Sequence, residues 1–257
     1  MISPDGLLAG LLAVLLGLVF GSFATAASYR LPRLLPLASA RSICPGCGRI
    51  LGGWDLIPLL SWLRNGGRCR HCGQPVSWRY PAIEATTAAL FVVIWWRAGV
   101  DLGQLALLWL TATGLVVITV ADFEAGIIPD AVLLVLAPVA LGLRWLTGQD
   151  VVEALATAVV AMALAFALRN GFRRLRGYDG LGMGDVKFLG VAGLYLGALH
   201  MAGFIILAGL LGVVLGLGWR LSGRGATFPF GPALTLSLLL GILFPQCLDA
   251  IIGLLPS

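Results

Sequence analysis

The sequence predicts an all-α protein: a polytopic transmembrane helical bundle of about eight spans, with a small cytoplasmic loop domain of metal-binding type. Three observations predict it. Of 257 residues, 59% are hydrophobic and only 11% charged, against roughly 25% charged in an ordinary soluble domain. The mean hydropathy of +0.98 agrees, and apolar stretches near membrane-spanning length recur along the chain. Basic residues then gather in a few of the connections between them. The formal charge of +5 is informative through its placement, and no nucleic-acid partner is read from it.

Leu7 to Tyr29 is an apolar run long enough to cross about 30 Å of hydrocarbon at 1.5 Å per residue. It is too long for the apolar part of a signal peptide and has no basic residue before it, so it reads as a true span. Further spans read as 82–98, 104–121, 131–147, 151–168, 186–199, 201–219 and 233–254. The sixth and seventh are parted only by Gly197-Ala-Leu-His-Met-Ala-Gly203. The chain thus divides into a first span (1–29), a soluble loop (30–80) and a membrane core (81–257).

Eight arginines (Arg30, Arg33, Arg41, Arg49, Arg64, Arg68, Arg70, Arg79) lie after the first span. Arg169, Arg173, Arg174, Arg176 and Lys187 follow the fifth, and Arg220 and Arg224 the seventh. With eight spans all of these share one face, leaving Arg97 and Arg144 at the other. Positive-inside bias makes the crowded face cytoplasmic and puts both termini outside.

The loop contains Cys44-Pro-Gly-Cys47 and Cys69-Arg-His-Cys72, two Cys-x-x-Cys pairs twenty-one residues apart. Each pair presents two thiolates from a tight turn, close to the usual zinc spacing. Gly46, Gly48 and Gly73 supply the turns. So small a loop builds little core, and a metal ion staples it. Disulfides or free thiols are the alternatives, and disulfides sit poorly on a cytoplasmic face. A closed tetrathiolate has no open position for substrate, so the expected zinc is structural. His71 stands between ligands as a surface neighbour or a substitute ligand. Cys247, toward the outer end of the last span, reads as a small buried residue.

Of twelve acidic residues, Asp5, Asp101, Asp150 and Glu153 have an ordinary place, in outer loops or near span ends. Asp122, Glu124 and Asp130 fall in the short inner link Asp122-Phe-Glu-Ala-Gly-Ile-Ile-Pro-Asp130, and Asp185 at the inner start of the sixth span. Topology brings Asp122 and Asp185 to one depth on one side. Ionisable groups at a membrane boundary are costly and are functional candidates by default. Two adjacent carboxylates cannot both ionise easily and share one proton, so one activates water while the other protonates a leaving group. Such a pair suits peptide hydrolysis without a metal. Gly180, Gly182 and Gly184 are expected to allow non-helical backbone and close approach of a substrate strand. Pro129 opens the fourth span and biases Ile128 toward extended geometry. The competing reading is a pair of ordinary interfacial carboxylates in a transporter or assembly scaffold, although a transporter places its acids nearer the midplane.

Several motifs, in order over nearly the full length, resemble those of the type IV prepilin peptidases, the bifunctional leader peptidase/N-methyltransferases of the Gly-x-Gly-Asp aspartic class. They are Gly21-Ser-Phe23 with Tyr29-Arg-Leu-Pro32; the two Cys-x-x-Cys pairs with Trp54 and Ile57-Pro58; and Arg79-Tyr-Pro81 with Glu84. Asp122 through Ile128-Pro-Asp130, Gly182-Met-Gly-Asp185 with Lys187, and Pro229-Phe-Gly-Pro232 complete the set. The resemblance implies that Asp122 and Asp185 are catalytic, that Asp130 is a non-catalytic motif residue, and that Cys44, Cys47, Cys69 and Cys72 hold zinc. It implies prepilin or pseudopilin substrates with a basic leader, in the type IV pilus or type II secretion setting. The location implied is the bacterial inner membrane, with the active site facing the cytoplasm and in contact with lipid. It also implies methylation of the new N-terminus from S-adenosylmethionine, for which Glu84 is the one residue offered; a first-turn carboxylate at a helix start is its plainer reading. Thr25 and Leu56 stand where the family usually has asparagine, which bears on methylation more than on cleavage and leaves a peptidase-only member as an alternative. Oligomeric state is left open.

Overall fold

The computed structural model describes residues 4–38, 41–98, 101–223 and 228–253. Arg224 and Leu254 lie outside them, as does the side chain of Asp5. Among the described residues the chain is all-helical, without a strand: α1 (Pro4–Arg30), α2 (Leu60–Arg64), α3 (Arg79–Ala98), α4 (Leu102–Ala125), α5 (Asp130–Leu146), α6 (Val151–Arg176), α7 (Met183–Leu221), α8 (Gly231–Leu243) and α9 (Pro245–Ile252). The chain divides into two compact units, Met1–Leu105 and Ala106–Ser257.

In the first unit α1 packs along α3. A Cβ at Gly17 would lie 2.5 Å from the Ala88 Cα, and one at Gly21 2.7 Å from the Glu84 Cα. Small residues four apart let two backbones meet this closely in lipid. Phe20 meets Phe91 at 5.6 Å between ring centres. Arg79 ties the top of the pair, donating to the Thr25 carbonyl (3.4 Å) and the Ser28 hydroxyl (2.9 Å). Leu7, Leu8, Leu11 and Leu15 point outward, which suits a helix bathed in acyl chains.

Between these helices the loop folds as two matching knuckles. Isolated antiparallel bridges join Ile43 to Ile50 and Arg68 to Pro75, each enclosing one Cys-x-x-Cys. The Gly48 N–H donates to the Cys44 carbonyl (2.8 Å) and the Gly73 N–H to the Cys69 carbonyl (2.9 Å). Gly48 and Gly73 sit at φ of 68° and 71°, the left-handed region glycine occupies without strain.

In the second unit α4 to α9 surround a core holding Phe188, Phe204, Leu136, Ile118 and Leu234. α7 is the departure from expectation: the two spans at 186–199 and 201–219 form one 39-residue element, broken only at Gly197 (φ 68°, ψ −179°). That conformation is essentially confined to glycine. The halves fold back on one another. Asp185 and Gly212 would lie about 40 Å apart along a straight helix. Yet Gly212 packs on Phe230, and the next residue, Gly231, bonds Asp122, which sits within electrostatic reach of Asp185. Farther along α8, Ser237 bonds the Phe204 carbonyl and Gly241 packs on Leu196. At the bend the buried Arg144 donates to Glu153 (3.0 Å) and to the Leu194 carbonyl (3.1 Å), while Glu153 accepts the Ala198 N–H (2.6 Å).

Among the described residues four helices are long and apolar enough to cross a membrane: Gly6–Arg33, Leu102–Ala125, Val151–Arg176 and Met183–Leu221. A fifth is gained if α8 and α9, bent by 103°, count as one. The expected last span, 233–254, is therefore broken: Pro245 offers no N–H, and Phe244 before it leaves the helical region (φ −137°, ψ 64°). Cys247, expected buried, is exposed on α9.

Candidate active site

Asp122 lies in the last turn of α4, so the link expected at 122–130 shrinks to residues 126–129. Gly126 (φ 65°) ends the helix, its N–H bonding the Asp122 carbonyl at 2.8 Å. Asp122 is buried at 6% exposure, and its Oδ2 accepts the Gly231 N–H at 2.7 Å. Burying a carboxylate beside a helix N-terminus satisfies one oxygen and leaves the other free to act. This contact gives the Pro229-Phe-Gly-Pro232 motif a role that the sequence reading did not find. A Cβ at Gly231 would fall 2.6 Å from Asp122 Oδ2, so the residue must be glycine. A glycine between two prolines, ahead of an apolar run, was the only signal.

Asp185 is the third residue of α7, half-buried, with Oδ2 accepting the Gly182 N–H at 3.1 Å. The carboxylate thereby reaches back over the helix start. Asp122 and Asp185 are brought together, close enough for their charges to repel. The glycines before Asp185 meet expectation in one respect: Gly182 is extended (φ −65°, ψ 148°), outside the helix. None of Gly180, Gly182 and Gly184 has positive φ; their service is close approach. A Cβ at Gly180 would strike the Phe172 ring at 2.6 Å, and one at Gly184 the Ile128 Cβ at 2.9 Å.

Two ion pairs brace the site. Lys187 meets Asp130 at 2.6 Å, joining the starts of α7 and α5. Arg169, near the end of α6, grips the loop before Asp185 through the Asp179 carboxylate and the Leu181 carbonyl (3.0 Å). Deeper in, the hydroxyls of Thr119 and Thr235 meet at 2.7 Å, one turn from Asp122 and Gly231 respectively.

In the loop, the Sγ atoms of Cys44, Cys47, Cys69 and Cys72 all lie within 4.8 Å of one another. Cys44 and Cys72 are 3.8 Å apart, and all are free thiols. Four sulfurs at about 2.3 Å from a tetrahedral zinc ion stand about 3.8 Å apart, so the set fits such an ion. The N–H groups of Cys47 and Gly46 bring the Cys44 thiol down to about 7. Cys72 is pushed up to about 11: the Gln74 N–H lowers it, but burial and the three neighbouring thiols outweigh that. A divalent cation removes this mutual opposition to ionisation. His71 hydrogen-bonds Arg49 (2.9 Å) and is not among the clustered ligands.

Glu84 is buried where α1 and α3 cross. Its Oε2 accepts the Leu59 N–H at 2.8 Å, and the Ser22 side chain bonds the same carboxylate. These are the visible partners of the carboxylate offered for S-adenosylmethionine. Thr25 bonds the Gly21 carbonyl inside α1, and Leu56 is exposed.

The model of the Bacterial Peptidase A24 N-terminal domain matches residues 15–98, and that of the Type IV leader peptidase family residues 109–217. Among curated relatives named prepilin leader peptidase/N-methyltransferase, the Bacillus subtilis protein is 32% identical over 236 residues, covering 89% of this chain and 91% of its own. That of Aeromonas hydrophila is 32% identical over 254 residues (88% and 87%), and that of Burkholderia pseudomallei 31% over 251 (86% and 81%). No solved structure matches the chain. With both halves matched in order and relatives covered over most of their length, the chain is an enzyme of the type IV leader peptidase family.

Proposed function

We propose that this enzyme is a membrane aspartic endopeptidase. It removes the basic leader of prepilins or pseudopilins at the cytoplasmic face of the inner membrane, with Asp122 and Asp185 as its catalytic pair. The observation that carries this is the convergence of the two carboxylates at one end of the second unit, each with one oxygen held by a backbone N–H and the two within reach of each other's charge.

The pair holds one proton between two carboxyl groups. The ionised member takes a proton from water as the oxygen attacks the scissile carbonyl; the protonated member hydrogen-bonds that carbonyl and then donates to the leaving amine. The hydrogen bonds from Gly231 and Gly182 fix both carboxylates before substrate arrives, so little reorganisation is needed at the moment of attack.

Eight crossings fit this reading: α1, α3, α4, α5, α6, the two arms of α7, and α8 with α9. A substrate's leader then stays in the cytoplasm while its apolar helix lies in the bilayer. Zinc at Cys44, Cys47, Cys69 and Cys72 ties the knuckles together and takes no part in cleavage. N-methylation of the product from S-adenosylmethionine is supported by the names of the relatives. Glu84, the one residue offered for the methyl donor, is held by the Leu59 N–H and the Ser22 side chain.

Co-expression with a prepilin-type substrate tests the proposal. A mass loss equal to the leader shows the cut, and a further gain of one methyl group shows the second activity. An unprocessed substrate beside a membrane-inserted enzyme would reject the first; cleavage without the methyl would leave a peptidase alone.

A further inference from the structure

We propose that α2 is an interfacial helix: it seats Leu60 and Leu63 in the headgroup boundary of the bilayer, with Arg64 meeting anionic headgroups. The inference rests on α1 and α3 crossing the membrane and is independent of the catalytic reading.

Depth is the first observation. Glu84 lies inside α3, beyond its first turn, and binds the Leu59 N–H immediately before α2. The same carboxylate is bonded by Ser22, and its backbone touches Gly21 of α1. Gly21 is nine residues below Arg30, the end of α1, a drop of about 13 Å. The loop therefore does not stand clear of the helix pair. It descends, and Glu84 anchors the start of α2 well below the ends of both spans, holding Leu59 at φ 58°. Aromatic residues of the kind found at headgroup level flank those ends: Tyr29 with the Arg33 guanidinium 4.0 Å over its ring, Trp78 and Tyr80, all exposed.

Sidedness is the second. Trp62 turns inward, donating to the Val76 carbonyl at 3.0 Å and packing on Gly67. Leu60, Leu63 and Arg64, three and four residues apart, share the opposite face. The two leucines are 60% and 65% exposed. An exposed leucine pair at this depth, beside a cation on a long stem, is the pattern of a helix lying in the interface.

Charge selects the occupant. Residues 30–80 contain eight arginines and a single acid, Asp55, which Arg70 already meets at 3.2 Å. A surface this basic repels a basic leader peptide and attracts the anionic cytoplasmic leaflet. The partner that fits is the lipid surface.

The test places the photocrosslinker p-benzoylphenylalanine at position 60 or 63 of the full chain in nanodiscs, with zinc content measured to confirm a folded loop. Irradiation is expected to give phospholipid adducts at both positions, in higher yield with anionic than with zwitterionic lipid. Adducts only to substrate peptide or to a second copy, or none at all, overturn the proposal. In the unmodified protein, trypsin is expected to cut after Arg64 more slowly in anionic than in zwitterionic nanodiscs. Equal rates overturn it as well. Leader cleavage is not read in either arm, so a failure here is distinguishable from failure of the peptidase assignment.

Discussion

The contact between Gly231 and Asp122 makes a demanding prediction. In Gly231→Ala the new Cβ would fall 2.6 Å from Oδ2, 2.8 Å from Cγ and 2.9 Å from Cβ of Asp122, well inside van der Waals contact. The carboxylate must move and the 2.7 Å hydrogen bond must lengthen or break. A hydrogen bond to a charged group contributes about 1.5–3 kcal/mol, or about 10- to 150-fold in rate. Displacing a reacting group by about 1 Å costs on the order of 100-fold. The expected result is a fall in kcat of about 100-fold with little change in KM, measured on purified enzyme in nanodiscs by mass spectrometry of leader release. Gly241→Ala, in the same helix as Gly231, is the control, since its Cβ would crowd the Leu248 side chain of α9 at 2.8 Å and its nearest neighbours are leucines, not a carboxylate. It is expected to lower the Tm while sparing kcat. The reasoning is refuted if Gly231→Ala retains kcat within about twofold, or if the two variants lose activity alike in proportion to stability.

Cys44→Ser is expected to reduce bound zinc from one equivalent to a small fraction, read by elemental analysis, while leader cleavage persists at a reduced level. Because thiolates and not thiols bind the ion, zinc retention is expected to fall as pH drops, with protons competing for the four sulfurs. Gly197→Ala, which needs a glycine-only conformation and would drive a Cβ into the Arg144 guanidinium, is expected to destabilise by more than about 2 kcal/mol; thermal unfolding in detergent checks it. Arg169→Ala is expected to loosen the loop ahead of Asp185 and lower kcat about tenfold, with Arg169→Lys recovering part of it. Lys187→Ala removes an exposed ion pair and is expected to cost less than about 1 kcal/mol of stability.

The apolar runs at 7–29, 104–121 and 151–168 each lie within an observed helix, because about 20 apolar residues have little alternative to a helix in lipid. Their ends were less legible. α6 continues to Arg176 because arginine is a good helix former, so the end of hydrophobicity is not the end of the helix. Pro245 did carry a readable sign of the break in the last span. The break between the sixth and seventh spans was placed within 197–203, but Gly197 as its pivot was not legible, since one glycine among thirty-five says nothing of its φ until its neighbours are known. The thiol cluster was visible in advance because its spacing is local. The meeting of Asp122 with Asp185 could be inferred only through topology and resemblance, and Gly231, 109 residues from its partner, is a tertiary contact without a local signature. Glu84 shows the converse: a conspicuous carboxylate in a motif, whose visible partners join a loop to two helices.

The most direct measurement is leader release by purified Asp122→Asn and Asp185→Asn enzymes, each nearly isosteric with the native protein and each checked for insertion and zinc content. The account predicts that either change alone removes cleavage by at least about 1,000-fold. Cleavage near the native rate in either variant would contradict it.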